Sequence, residues 1–179
     1  RELVRRLSDR DAGKLVRGVL QMIRARPKEA RRYTGELLAQ EVDAERLLER
    51  IKEMPGEEKA SAEAWYLRGA LREAAGRMTA AAEAYDKALA ADDSFISPHL
   101  ANVELQIRIG RFEKAMELLK RIPEKDTAAV RFARCRVLAG LDRLEEATGE
   151  LEQLLNDQPR NVDYRLLKAR IQRAKGEYR

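Results

Sequence analysis

The sequence predicts an all-α protein, an α-solenoid of antiparallel helix pairs, on three observations. The pairs Gly76-Arg77 and Gly110-Arg111 stand 34 residues apart, and apolar positions recur in phase with them. Ala, Leu, Glu and Arg dominate the chain, and these residues lose little side-chain freedom in a helix. Glycine (10) and proline (5) are few and scattered through 179 residues, which suits helices joined by short turns.

Each element follows in order. Ser8 and Asp9 are N-cap candidates for a helix reaching Ala25, with Leu15, Val16, Val19, Leu20 and Ile23 as its apolar stripe. Pro27 opens the next helix, near 28–40. Asp43 caps a third, 44–54, which Pro55-Gly56 ends. Beyond it the 34-residue phase predicts helices at 62–75 and 79–91, 96–109 and 112–121, 128–139 and 144–156, then 162–175. In that phase Ala81 matches Ala115 and Ala147, Tyr85 matches Leu119 and Leu151, and Ala88 matches Ile122 and Leu154. The organisation is therefore 1–61, a set of N-terminal helices forming divergent repeats or a cap, followed by units 62–95, 96–127, 128–161 and a partial 162–179.

These residues resemble the tetratricopeptide repeat family. The unit from Ala62 places Trp65, Gly69, Ala81, Tyr85 and Ala88 where the family has a large, a small, a small, an aromatic and an alanine residue, and Pro159 stands at its terminal proline. A weaker unit extends back over 28–61, with Gly35, Leu47 and Ile51 in the corresponding places. The resemblance implies a right-handed superhelix whose units stack because none can bury its apolar face alone. It also implies a concave groove lined by the first helix of each unit. Carried over by position, the groove residues are Tyr66, Leu100, Phe132 and Leu166 as an apolar stripe, with Glu104, Arg108, Arg136, Arg170 and Arg173 beside them. The expected function is a scaffold or adaptor that binds a partner protein or peptide in the groove, one with an acidic group and an apolar anchor. One subset of the family grips the C-terminal carboxylate of heat-shock chaperones with Lys and Asn; here Tyr66, Ala70, Ser97 and Ala101 stand in those places, so that role is not expected.

Two other readings compete. The net charge of +5 and the cluster Arg24, Arg26, Lys28, Arg31, Arg32 suggest a nucleic-acid-associated repeat, but the one near aromatic is Tyr33, and single-strand binders interleave stacking aromatics with charge. A self-assembly module of a larger polypeptide is the third. The chain begins at Arg1, and Gly176-Glu177-Tyr178 reads like the turn into another helix, so it is expected to continue past Arg179, leaving helix 162–175 free to self-associate.

Catalysis is not expected, nor any cofactor or metal. The one histidine, His99, falls at a packing position and reads as half-buried; the one cysteine, Cys135, falls where a small buried residue is required, facing Ala147. The glycines at 69, 76, 110 and 140 belong to the repeat signature or its turns. A single cysteine excludes an internal disulfide and fits a reducing, cytoplasmic setting. No apolar run approaches the roughly 20 residues a membrane span needs.

Overall fold

The fold is that of a computed structural model, which describes residues 8–39, 43–124 and 126–176. Among them are eleven helices: α1 (Asp9–Ala25), α2 (Ala30–Ala39), α3 (Ala44–Lys52), α4 (Gly56–Lys59), α5 (Ala62–Ala74), α6 (Met78–Ala91), α7 (Ile96–Arg108), α8 (Phe112–Arg121), α9 (Ala128–Gly140), α10 (Leu144–Asp157) and α11 (Val162–Ala174). The protein is an all-α solenoid, and from α5 onward the helices begin and end within a residue of where the 34-residue phase sets them.

Local chemistry explains the starts. Ser8, Asp43, Ser61, Thr127 and Asn161 each accept a hydrogen bond from a first-turn backbone N–H of α1, α3, α5, α9 and α11. These caps satisfy donors that a helix leaves unpaired at its N-terminus. The turns inside each pair share a second device. Gly76 and Gly110 take φ of 75° and 74°, and the following arginine N–H reaches back to the helix: Arg77 to the Arg72 carbonyl at 2.8 Å, Arg111 to that of Gln106 at 2.8 Å. The left-handed residue lets the chain reverse while its bonds satisfy the last carbonyls. In the third unit the left-handed residue is Asp142, with φ of 60°, and not Gly140, which ends α9.

The chain divides into two compact units, 1–101 and 102–179, with the boundary inside α7. In the first unit α5 and α6 form the tightest pair, and α1, α2 and α3 pack on α5. Gly69 sets the α5–α6 approach: a Cβ there would lie 2.3 Å from the Tyr85 ring. In the second unit α9 pairs with α10, and α11 packs on both. Its core joins Cys135, Leu138, Ala147, Leu151, Leu154, Tyr164, Leu167 and Ile171. The nine residues matched across the three full units, from Ala81 to Leu154, are all buried.

Three expectations need correction in the N-terminal helices. The helix after Pro27 begins as a 3-10 turn, Pro27–Glu29, and becomes α-helical only at Ala30; its expected last residue, Gln40, lies outside the described residues. Pro55-Gly56 ends α3 but also starts a further helical turn, α4, because proline's fixed φ suits the beginning of a helix. Gly35 does not repeat the role of Gly69, since a Cβ at Gly35 would meet open space. Tyr178 lies outside the described residues.

Candidate functional site

The apolar stripe read from the repeat phase divides into two kinds of residue. Tyr66 and Leu100 are buried, at 2% and 6% exposure, so neither offers a side chain to a partner. Tyr66 is a core residue: its ring meets Phe95 edge-on at 5.4 Å, and its hydroxyl lies 3.2 Å from Thr34 Oγ1. Burial raises its pKa above the usual tyrosine value. Phe132 is half-buried, its ring 4.9 Å from that of Tyr164. Leu166 is 50% exposed. A continuous exposed stripe through four units is therefore not what these side chains form.

The charged residues give more. In unit 102–179, Glu104 of α7 binds Nη1 of Arg136 of α9 through Oε2, and the Arg136 guanidinium also lies 6.0 Å from the Phe132 ring centre. Both hold the same place in successive repeats, and Arg170, exposed to solvent, holds it in α11. Arg136 and Arg170 stand at the edge of a hollow of about 300 Å³. Its remaining walls are mostly apolar: Ile107, Phe112, Ala139, Gly140, Leu144, Leu167, Ile171 and Ala174. Arg108 and Arg173 are exposed and, like Phe132, Leu166 and Glu104, do not line the hollow.

Phe112, Leu144 and Leu167 were not singled out from the sequence as wall residues. The signal existed for the first two: both open the second helix of their repeats, directly after the left-handed turn, and so flank the ends of the first helices. Arg68 was also missed. It is buried, its Nη1 donating to the Lys59 carbonyl at 2.6 Å and its Nη2 to that of Ile51 at 3.4 Å, while the guanidinium stacks 4.4 Å from the Trp65 ring. Only the packing of α3 and α4 beside α5 creates that role.

The basic cluster is largely neutralised where it stands. Arg24 pairs with Glu63 at 3.6 Å, Arg26 with Glu29 at 3.7 Å, and Arg32 with Glu29 at 2.6 Å and Glu36 at 3.5 Å. His99 is completely buried rather than half-buried, its Nε2 donating to the Asp93 carbonyl at 2.9 Å. Cys135 is likewise fully buried, in the cluster that contains Ala147. Burial, with the Glu150 carboxylate nearby, pushes its thiol up to about 12, far from the low-pKa thiolate that nucleophilic chemistry uses. Among the described residues no group of three or more His, Cys, Asp or Glu is placed to hold a metal ion, and no helix is long and apolar enough to cross a membrane.

Residues 72–134 match the family model of the tetratricopeptide repeat. Over that stretch the chain is similar to tetratricopeptide repeats. A solved structure agrees on the fold: a thermophilic tetratricopeptide protein of Thermus thermophilus superposes with a TM-score of 0.61 over 92% of this chain and 98% of that one, at 16% sequence identity. No curated protein sequence matches the chain. Tetratricopeptide repeats are in general protein–protein interaction scaffolds and typically carry no catalysis.

Proposed function

We propose that the repeats bind a partner protein through the hollow in unit 102–179, taking an apolar side chain of the partner against Ile107, Phe112 and Leu144 and a neighbouring carboxylate at Arg136 and Arg170. The observation that carries this reading is the pairing of an apolar-walled hollow of about 300 Å³ with two guanidinium groups at its edge. That volume falls in the range of sites that bury a ligand, roughly 300–1,000 Å³. Arginine presents a planar fork that matches a carboxylate bidentately, and partly desolvated arginine and aromatic residues carry most of the energy of protein interfaces.

The alternative of nucleic-acid binding through Arg24–Arg32 is disfavoured by the ion pairs that engage Arg24, Arg26 and Arg32. The test is a titration with fluorescein-labelled peptides that carry Leu or Phe beside Glu, on wild type and Arg170→Glu. Because Arg170 is exposed, the variant keeps its thermal melt. Its affinity falls at least about tenfold, near 1.4 kcal/mol. Equal affinity in the two proteins would move the site elsewhere.

A further inference from the structure

A separate concavity, of about 340 Å³, lies within unit 1–101 between α1 and the end of α3. Its floor includes Val16 and Met54, both buried, and the bare backbone of Gly13, where a Cβ would meet nothing within 4 Å. Arg10, Lys14 and Arg17 stand along it. Their spacing, i, i+4 and i+7, places the three cations on one face of α1 over roughly 10 Å of helix axis.

Helix stability does not account for that row. Like charges four residues apart repel, and a cation in the first turn opposes the helix dipole. Ion pairing does not account for it either. Two acids share the lining, Asp9 and Glu53, and both are engaged by other arginines. Asp9 Oδ1 accepts from Nε and Nη2 of Arg46 at 3.1 and 2.8 Å, which holds its carboxyl below the usual range. Glu53 Oε1 accepts from Nη2 of Arg50 at 2.6 Å. Arg10, Lys14 and Arg17 are exposed, and among the described residues no acid pairs with them.

We propose that this concavity is a second binding site, for an acidic, extended segment of a partner protein whose carboxylates meet Arg10, Lys14 and Arg17 and whose apolar side chain lies over Val16 and Met54. Side chains on one side of an extended chain recur about every 6.6 Å, close to the spacing of cations one helical turn apart. A nucleic-acid strand offers similar charge, but no aromatic side chain lines the concavity for a base to stack on.

The experiment measures fluorescence anisotropy of a labelled Glu-Glu-Leu-Glu-Glu peptide, with a labelled oligothymidylate of matching charge as the comparison. The proteins are wild type, Lys14→Glu, Gly13→Gln and Arg170→Glu. Lys14→Glu reverses the central charge; Gly13→Gln fills the open space without changing charge and favours the helix. Both positions lie on the outward side of α1, and circular dichroism verifies the fold. Wild type is expected to bind this peptide at two sites, the hollow and the concavity; each α1 variant loses at least tenfold, about 1.4 kcal/mol, in the phase that persists in Arg170→Glu, and keeps the phase that Arg170→Glu weakens. Unchanged peptide affinity in both α1 variants overturns the proposal, as does tighter binding of the oligothymidylate than of the peptide.

Discussion

Glu104 and Arg136 lie 32 residues apart in sequence and form an ion pair between equivalent positions of successive repeats. The pair is partly shielded, with side-chain exposures of 19% and 30%. Arg136 is thus already occupied by a carboxylate of its own chain, at the edge of the hollow proposed to receive a partner's carboxylate.

That arrangement makes Glu104 a competitor. Glu104→Gln removes its charge while keeping its size, and a partner carboxylate then meets Arg136 without displacing another. We expect Glu104→Gln to tighten binding of acidic peptides about two- to tenfold, the scale of a partly exposed ion pair. Neutral peptides of the same length should bind as they do to wild type. Peptide titrations on the two proteins check both halves. An equal gain for neutral peptides would mean that the effect does not run through charge.

Two helical glycines should respond to alanine with opposite signs. At Gly69 a new Cβ would sit 2.3 to 2.4 Å from ring carbons of Tyr85, and Tyr85 is buried and cannot swing away. Gly69→Ala should therefore destabilise the protein by about 1–3 kcal/mol, the usual range for overpacking. At Gly149, within α10 and exposed, a Cβ meets nothing within 4 Å. Gly149→Ala should stabilise by about 0.5–1 kcal/mol, because alanine has less backbone freedom to lose in a helix. Urea unfolding of both variants is the measurement.

The same two glycines show what the sequence made legible. Gly69 and Tyr85 hold the places that Cys135 and Leu151 hold in the third full unit, a small residue facing a large one, and a fixed phase can be read without coordinates. Helix starts were legible for the same kind of reason, since Ser61, Thr127 and Asn161 act on their own first turns. Gly35 misled because it matched the phase without the ring that gives the phase its meaning. Arg68 was hidden because its acceptors, the carbonyls of Lys59 and Ile51, reach it only through tertiary packing. The candidate site was legible in part: Arg136 and Arg170 were read from position, whereas the burial of Tyr66 depends on Phe95, Tyr85 and Thr34, which no single-repeat comparison brings together.

Cys135 should make stability sensitive to alkali. Its thiol is pushed from 9.0 to about 12 in the folded protein, mainly by burial and then by Glu150. An acid whose folded value is raised favours the folded state below its unfolded value and loses that contribution as pH rises toward the folded value. The loss belongs to the window from about pH 9 to about pH 12, at up to roughly 1.4 kcal/mol per pH unit. Buried Tyr66 and Tyr85 also have raised values, so the informative quantity is the difference between wild type and Cys135→Ala. The wild type should lose stability faster than the variant across this window. A thiol reagent should label the native protein at pH 8 far more slowly than the unfolded chain. Parallel pH profiles, or fast native labelling, would contradict the burial of the thiol.

Asp142 should be improvable by glycine. It holds the left-handed place that Gly76, Gly110 and Gly176 hold in the other units, with φ of 60° against 75°, 74° and 73°. The hydrogen bonds of the turn are conserved around it: Asp142 N–H donates to the Ala139 carbonyl at 3.3 Å, and Arg143 N–H to that of Leu138 at 2.9 Å. The backbone therefore needs a left-handed residue here whatever its side chain. Aspartate tolerates that conformation better than most residues, yet its Cβ still crowds the carbonyl, while glycine has none. Against this stands glycine's greater freedom in the unfolded chain, which offsets part of the gain. The net expectation is that Asp142→Gly raises stability by about 0.5–1 kcal/mol. Asp142→Ala should lower it by roughly 1 kcal/mol, since alanine keeps the Cβ and lacks a polar side chain to bond the local backbone. Thermal melts of the three proteins at one pH order them glycine, aspartate, alanine. An alanine variant as stable as the glycine variant would mean that the turn relaxes out of the left-handed conformation when its residue changes.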